Sequence, residues 1–131
     1  MEKPNTGAKR ILVVEDEPAI CQVCRRVLTS EGFEIDTATN GEVAQDRLRE
    51  KDYDLILIDI RTPVINGKQL YQSIIEKHPR LASRVIFTTG DMVEGNTRRF
   101  LEQSGRPYLP KPFNPDELKT IVKETLGQIE K

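Results

Sequence analysis

Five short apolar runs alternate with five stretches of helical periodicity along this chain. The runs predict strands near residues 10–15, 33–38, 54–59, 84–88 and 107–110. Ile11-Leu12-Val13-Val14 and Leu55-Ile56-Leu57-Ile58 are continuous rather than alternating, as expected of central strands buried on both faces. Phe33-Glu34-Ile35-Asp36-Thr37-Ala38 alternates apolar and polar, which fits an edge strand with one wet face. Strands that alternate with helices build βαβ units, so the class is α/β with a parallel sheet covered on both faces.

The helix signals have mechanisms. Pro18 in the opening turn of the first helix lacks the donor that would be orphaned there, and the acidic residues before it suit the helix dipole. Asn40 is a candidate N-cap for the second helix, which runs to about Glu50. The third starts near Gly67, buries Leu70, Ile74 and Tyr71, and must stop by His78-Pro79. Asn114-Pro115-Asp116-Glu117 opens the last helix as a capping box, and Leu118, Ile121, Val122, Thr125, Leu126 and Ile129 follow at helical spacing. The fourth helix is weak, with Gly95 and Asn96 in its first turn and only Val93, Phe100 and Leu101 for an apolar stripe.

Chemistry enters where the strands end. The first apolar run stops at Glu15-Asp16-Glu17, the third at Asp59, the fourth at Thr88-Thr89-Gly90 and the fifth at Lys111-Pro112. Ligands bind at the carboxyl ends of strands in an open parallel sheet, so these acids, hydroxyl and amine should converge. Oxygens suit a hard divalent cation, while an ammonium and a hydroxyl suit phosphoryl oxygens.

Length and composition narrow the rest. A chain of 131 residues fits one domain with a core of its own. We read residues 1–9 as a loose, disordered tail and 10–131 as the folded domain. At net charge −1, with basic pairs such as Arg25-Arg26 and Arg98-Arg99 scattered and no aromatics interleaved, no direct nucleic-acid contact is expected. No apolar stretch reaches the ~20 residues of a membrane helix and the start lacks a signal-peptide core, so membrane insertion is not expected and the localisation expected is cytoplasmic. Cys21 and Cys24 form a Cys-x-x-Cys, but a turn inside a helix and, for Cys24, on the core face with Ile20, Val23, Val27 and Leu28. That is a poor place for a redox pair. Two cysteines and the distant His78 cannot assemble a zinc site.

The constellation Glu15-Asp16, Asp59, Thr89-Gly90 and Lys111-Pro112-Phe113, with the turn Pro63-Val64-Ile65-Asn66-Gly67, resembles the receiver domain of two-component response regulators over about residues 10 to 129. The resemblance implies a flavodoxin-like (βα)5 doubly wound parallel sheet in strand order 2-1-3-4-5. It implies that Asp59 is the phosphoacceptor, taking its phosphoryl group from a phosphohistidine on a histidine kinase or histidine phosphotransfer protein. Mg2+, for which Mn2+ can substitute, would be held directly by Asp16, Asp59 and the backbone carbonyl of Arg61, with Glu15 acting through water. Lys111 and Thr89 would bind phosphoryl oxygens, and Lys111-Pro112 would be cis. Tyr108 matches the aromatic that turns inward as Thr89 moves, signalling to a downstream partner through the fourth helix, fifth strand and fifth helix. A phosphorylation-dependent homodimer is compatible with that surface. Gly67 and Pro112 are structural positions. Arg61 and Asp91 flank the site, and an ion pair between them would slow attack by water on the phosphorylated state.

Self-phosphotransfer and autodephosphorylation are then the whole chemistry, with no turnover of an external substrate. Two alternatives compete. A haloacid-dehalogenase-type phosphatase would want a second Asp two residues after the first, where Arg61 stands, and a longer chain. A phosphorylation-independent pseudo-receiver would have no use for the full acidic set and Lys111. No output domain is expected after Lys131, and the stretch from Thr89-Gly90-Asp91 to Ser104-Gly105 looks like receivers of hybrid histidine kinases.

Overall fold

The apolar runs become β1 (Arg10–Val14), β2 (Glu34–Ala38), β3 (Leu55–Asp59), β4 (Val85–Thr89) and β5 (Tyr108–Pro110) in the computed structural model, which describes residues 8–90 and 95–129. Between them lie α1 (Pro18–Ser30), α2 (Gly41–Glu50), α3 (Gly67–Lys77) and α4 (Gly95–Ser104), and α5 (Pro115–Ile129) follows β5. Every strand pairing is parallel, in the order β2-β1-β3-β4-β5. This is the doubly wound sheet that the resemblance implies. The tail expected at 1–9 and Val93 of the expected apolar stripe fall at least partly outside the described residues: residues 1–7 and 91–94 are not described.

Period-two alternation within the apolar runs divides them between two cores. Leu12, Val14, Ile56, Ile58, Val85 and Phe87 face one side, with Ala44, Leu48, Leu70, Ile74 and Leu101 from α2, α3 and α4. Ile11, Val13, Leu55, Leu57, Ile86 and Leu109 face the other, under Cys24 and Leu28 of α1 and Leu118, Val122 and Leu126 of α5. All five residues of β3 and of β4 are buried, so these strands, and the groups at their ends, are fixed from both sides.

The caps follow the sequence, with one addition. Asn40 accepts from the Val43 N–H at 2.8 Å. Asn114 and Glu117 exchange bonds of 2.8 and 2.9 Å as the expected capping box. A second box, Asn66 with Gln69, fixes the start of α3. The His78-Pro79 stop opens into a 3-10 helix over Pro79–Arg84, where only a helix end was expected. Tyr53, unassigned by the sequence, is buried and donates its hydroxyl to Asp36 at 2.7 Å, which gives the wet face of β2 a partner.

Val64 has a positive φ of 70° although its side chain is 71 % exposed. A β-branched residue pays for that conformation and gains no burial in return. Val64→Asn, which tolerates the left-handed region, is expected to raise stability by about 1 kcal/mol. Denaturant unfolding checks this; an unchanged midpoint would show that the loop relaxes around valine.

Candidate functional site

Register brings the site together. Asp59 ends β3 opposite Thr88, and Thr89 ends β4 opposite Pro110. The Ile60 N–H donates to the Thr88 carbonyl at 3.1 Å and the Lys111 N–H to the Thr89 carbonyl at 2.7 Å, which carries the alignment past the strand ends. On the other side of β3, the Glu15 N–H donates to the Ala38 carbonyl at 2.9 Å. Glu15, Asp16, Asp59, Thr89 and Lys111 are thereby gathered at the carboxyl end of the sheet.

The carboxylates of Glu15, Asp16 and Asp59 each offer an oxygen, and the three lie within 4.8 Å of one another. Glu15 and Asp59 are buried and Asp16 is exposed, so the cluster opens to solvent on one side. The Lys111 ammonium reaches into it, 2.9 Å from Glu15 Oε1, 3.1 Å from Asp59 Oδ2 and 3.4 Å from Glu17 Oε1. The other Asp59 oxygen, Oδ1, accepts the Arg61 N–H at 3.0 Å. Glu17 is a participant with no role assigned from the residues alone, although it belongs to the acidic run after β1.

Charge within the cluster is unbalanced, with several carboxylates facing a single ammonium. Burial pushes the Glu15 carboxyl up to about 7; its bond to Lys111 opposes this, and the Asp59 charge adds to it. Burial alone would lower the Lys111 pKa, but the Glu15 bond and the Asp59 charge outweigh it and hold the amine well above the usual lysine range. Hard oxygen donors with surplus negative charge are what a divalent cation needs, so the residues fit a metal and the cluster can coordinate one.

Other expected positions fall differently. Thr89 is buried beside the cluster. The Lys111-Pro112 peptide is cis. Gly67 is buried beneath Ile60 and the Asp59 carbonyl. The Arg61 residue is exposed, and Asp91 lies outside the described residues. Tyr108 is 41 % exposed, while its neighbour Leu109 is buried. The aromatic thus points away from the core, beside a cavity lined by Arg98, Leu101, Glu102 and Tyr108. The cysteines are free thiols; burial pushes Cys24 up to about 12 and raises Cys21 as well, the reverse of an activated redox pair.

Comparison with known proteins bears on this geometry. Residues 11–123 match the response regulator receiver domain family. The transcriptional regulatory protein ResD of Bacillus subtilis is 36% identical over 121 residues, which cover 92% of this chain and 49% of that protein. The phosphate regulon transcriptional regulatory protein PhoB of Rhizobium meliloti is 34% identical over 117 residues, covering 89% of this chain and 52% of that protein. The chain therefore spans about half the length of these curated relatives. Among solved structures, a CheY-like response regulator receiver domain protein from Methanospirillum hungatei superposes with a TM-score of 0.85 at 29% identity, covering 94% of this chain and 97% of that one. The signal receiver domain of a signal transduction histidine kinase from Syntrophus aciditrophicus gives 0.85 at 25% identity, covering 95% and 94%. Among the described residues, no helix is long and apolar enough to cross a membrane.

Proposed function

The chain belongs to the response regulator receiver family, and on that premise we propose that Asp59 accepts a phosphoryl group from a phosphohistidine on a histidine kinase or histidine phosphotransfer protein. The observation that carries this reading is the position of Asp59 within the three-carboxylate cluster, with the Lys111 ammonium 3.1 Å from its Oδ2. An Asp59 oxygen attacks phosphorus, the P–N bond to the donor imidazole breaks, and the protein is left with a mixed anhydride on its own side chain. The change is stoichiometric, so no external substrate turns over.

Two anions must meet for that step, and the residues are arranged to permit it. We propose Mg2+ as the ion, replaceable by Mn2+, held by Glu15, Asp16, Asp59 and the Arg61 carbonyl. When bound it supplies positive charge against the phosphoryl oxygens. Lys111 exchanges part of its contact with Asp59 for a phosphoryl oxygen, as a point charge on a flexible stem can. The Thr89 hydroxyl donates to another oxygen after transfer. The Arg61 N–H on Oδ1 fixes the rotation of the carboxylate, which supports in-line approach. An ion pair of Arg61 with Asp91 would slow attack by water on the product. Thr89 and Tyr108 then bias a two-state surface of α4, β5 and α5 toward a downstream partner or a second copy of the chain.

Incubation with Mg2+ and a small acyl phosphate, followed by peptide mapping in a mass spectrometer, tests the reading. One phosphoryl adduct is expected, on the peptide that carries Asp59 and only when divalent metal is present. Modification elsewhere, or none from any donor, would overturn it.

A further inference from the structure

At the opposite end of the sheet from Asp59, the start of β4 and the approach to β5 bring together three arginines. Arg80 and Arg84 come from the 3-10 helix before β4, and Arg106 lies two residues before β5. With Ser83 and with Gln128 and Ile129 of α5, they line a cavity of about 440 Å³. That volume is within the range of small-molecule sites.

Two of the three guanidiniums are held, and among the described residues none is neutralised. Arg84 Nη1 donates to the Asp54 carbonyl at 3.2 Å, and Arg106 Nε donates to the Val85 carbonyl at 3.0 Å. Each anchor uses one N–H and leaves most of the fork for another acceptor. Among the described residues, no carboxylate stands within ion-pair distance of Arg80, Arg84 or Arg106. The nearby Asp54 carboxylate instead accepts the Arg10 N–H at 2.8 Å. Burial holds the Arg106 pKa below the usual arginine value, the reverse of a carboxylate's effect; only Tyr71 acts the other way. The carbonyl end of α5 offers partial negative charge, but that is too little to balance three full cations.

We propose that this cavity is a binding site for a small phosphate-bearing anion, up to the size of a nucleotide, held by Arg80, Arg84 and Arg106. Planar guanidinium forks match phosphate oxygens in pairs, and the Ser83 hydroxyl and Gln128 amide add neutral donors. Ile129 supplies an apolar patch for a base or other organic group. The proposal is independent of the chemistry at Asp59, because the two sites occupy opposite ends of the strands.

Titration of the whole chain with inorganic phosphate, pyrophosphate and ATP tests it, in chelator so that no metal links the anions to the acidic cluster. Saturable amide shifts in the NMR spectrum are expected at Ser83, Arg84, Arg106 and Gln128, with the Asp59 loop unmoved. Equal affinity for pyrophosphate and ATP would mean the site reads phosphates alone; tighter ATP would mean Ile129 contacts the base. Arg80→Ala, at an exposed position that leaves the fold intact, should weaken binding roughly tenfold. Arg106→Lys keeps the charge but not the fork and should also weaken it. Absence of saturation into the millimolar range, the same shifts from chloride at matched ionic strength, or unchanged affinity in both variants would overturn the proposal.

Discussion

Asp59→Asn is expected to abolish the phosphoryl adduct entirely and to weaken divalent-metal binding by at least about tenfold, while the metal-free fold is no less stable than the parent. The first two effects follow from the roles proposed for Asp59, as nucleophile and as one of three anionic ligands. The third follows from the electrostatics. Asparagine keeps the shape and can still accept the Arg61 N–H at Oδ1, and Lys111 keeps Glu15 at 2.9 Å. What disappears is repulsion between two buried carboxylates. The same repulsion sets a pH dependence. The folded-state pKa of Glu15 is raised, so its contribution to stability is fully present below its ordinary value of 4.5 and is lost as pH rises through about 7. In chelator, the parent should lose stability across that window. Asp59→Asn should lose less, because one source of the rise is gone. Thermal melts at several pH values, beside the phosphorylation assay, check both parts. A surviving adduct would remove Asp59 from its role; a destabilised metal-free variant would show that the Lys111 bond to Asp59 outweighs the repulsion.

Much of this arrangement is legible in the residues, for a physical reason. Strands buried on both faces must read as continuous apolar runs, so Ile11–Val14 and Leu55–Ile58 announce the centre of a parallel sheet. The polar residue that stops each run is then placed at the end of a strand. Convergence of Glu15, Asp16 and Asp59 follows from topology, with no knowledge of side-chain contacts. Features that depend on which surfaces meet are not legible in this way. Tyr53 gives no local sign that its hydroxyl will find Asp36, because the two lie on different elements. The edge-to-face cluster of Tyr71, Phe87 and Phe100 joins α3, β4 and α4, and no spacing along the chain encodes it. In β5, a strand of only three residues, periodicity cannot decide which residue points inward; the sheet places Leu109 there and leaves Tyr108 outside. The left-handed backbone at Val64 is hidden because valine is a poor residue for it.

Gly67→Ala is expected to cost about 3 kcal/mol. An ideal Cβ at Gly67 would sit 2.6 Å from Ile60 Cα, 2.9 Å from the Asp59 carbonyl oxygen and 3.2 Å from Ile58 Cγ2. The first two are backbone atoms and cannot rotate away. Asp59 ends a strand buried on both faces and Ile60 follows it directly, so β3 cannot retreat either. Relief must come from lifting the start of α3, yet that start is fixed by the Asn66–Gln69 capping box and by the Gly67 N–H donating to the Ile60 carbonyl at 2.9 Å. The same crowding displaces the turn after Asp59, so the variant should also accept phosphoryl groups more slowly. Gly127→Ala is the matched control. It lies inside α5 with nothing within 4 Å of the added methyl, and it should stabilise by about 0.5–1 kcal/mol through helix propensity alone. Urea unfolding of both variants decides the matter. If Gly67→Ala unfolds with the parent's midpoint, α3 shifts without penalty and close approach is not why glycine stands there. If it falls while Gly127→Ala rises, the tight contact between helix start and strand end is what holds the carboxylate of Asp59 in register with Thr88.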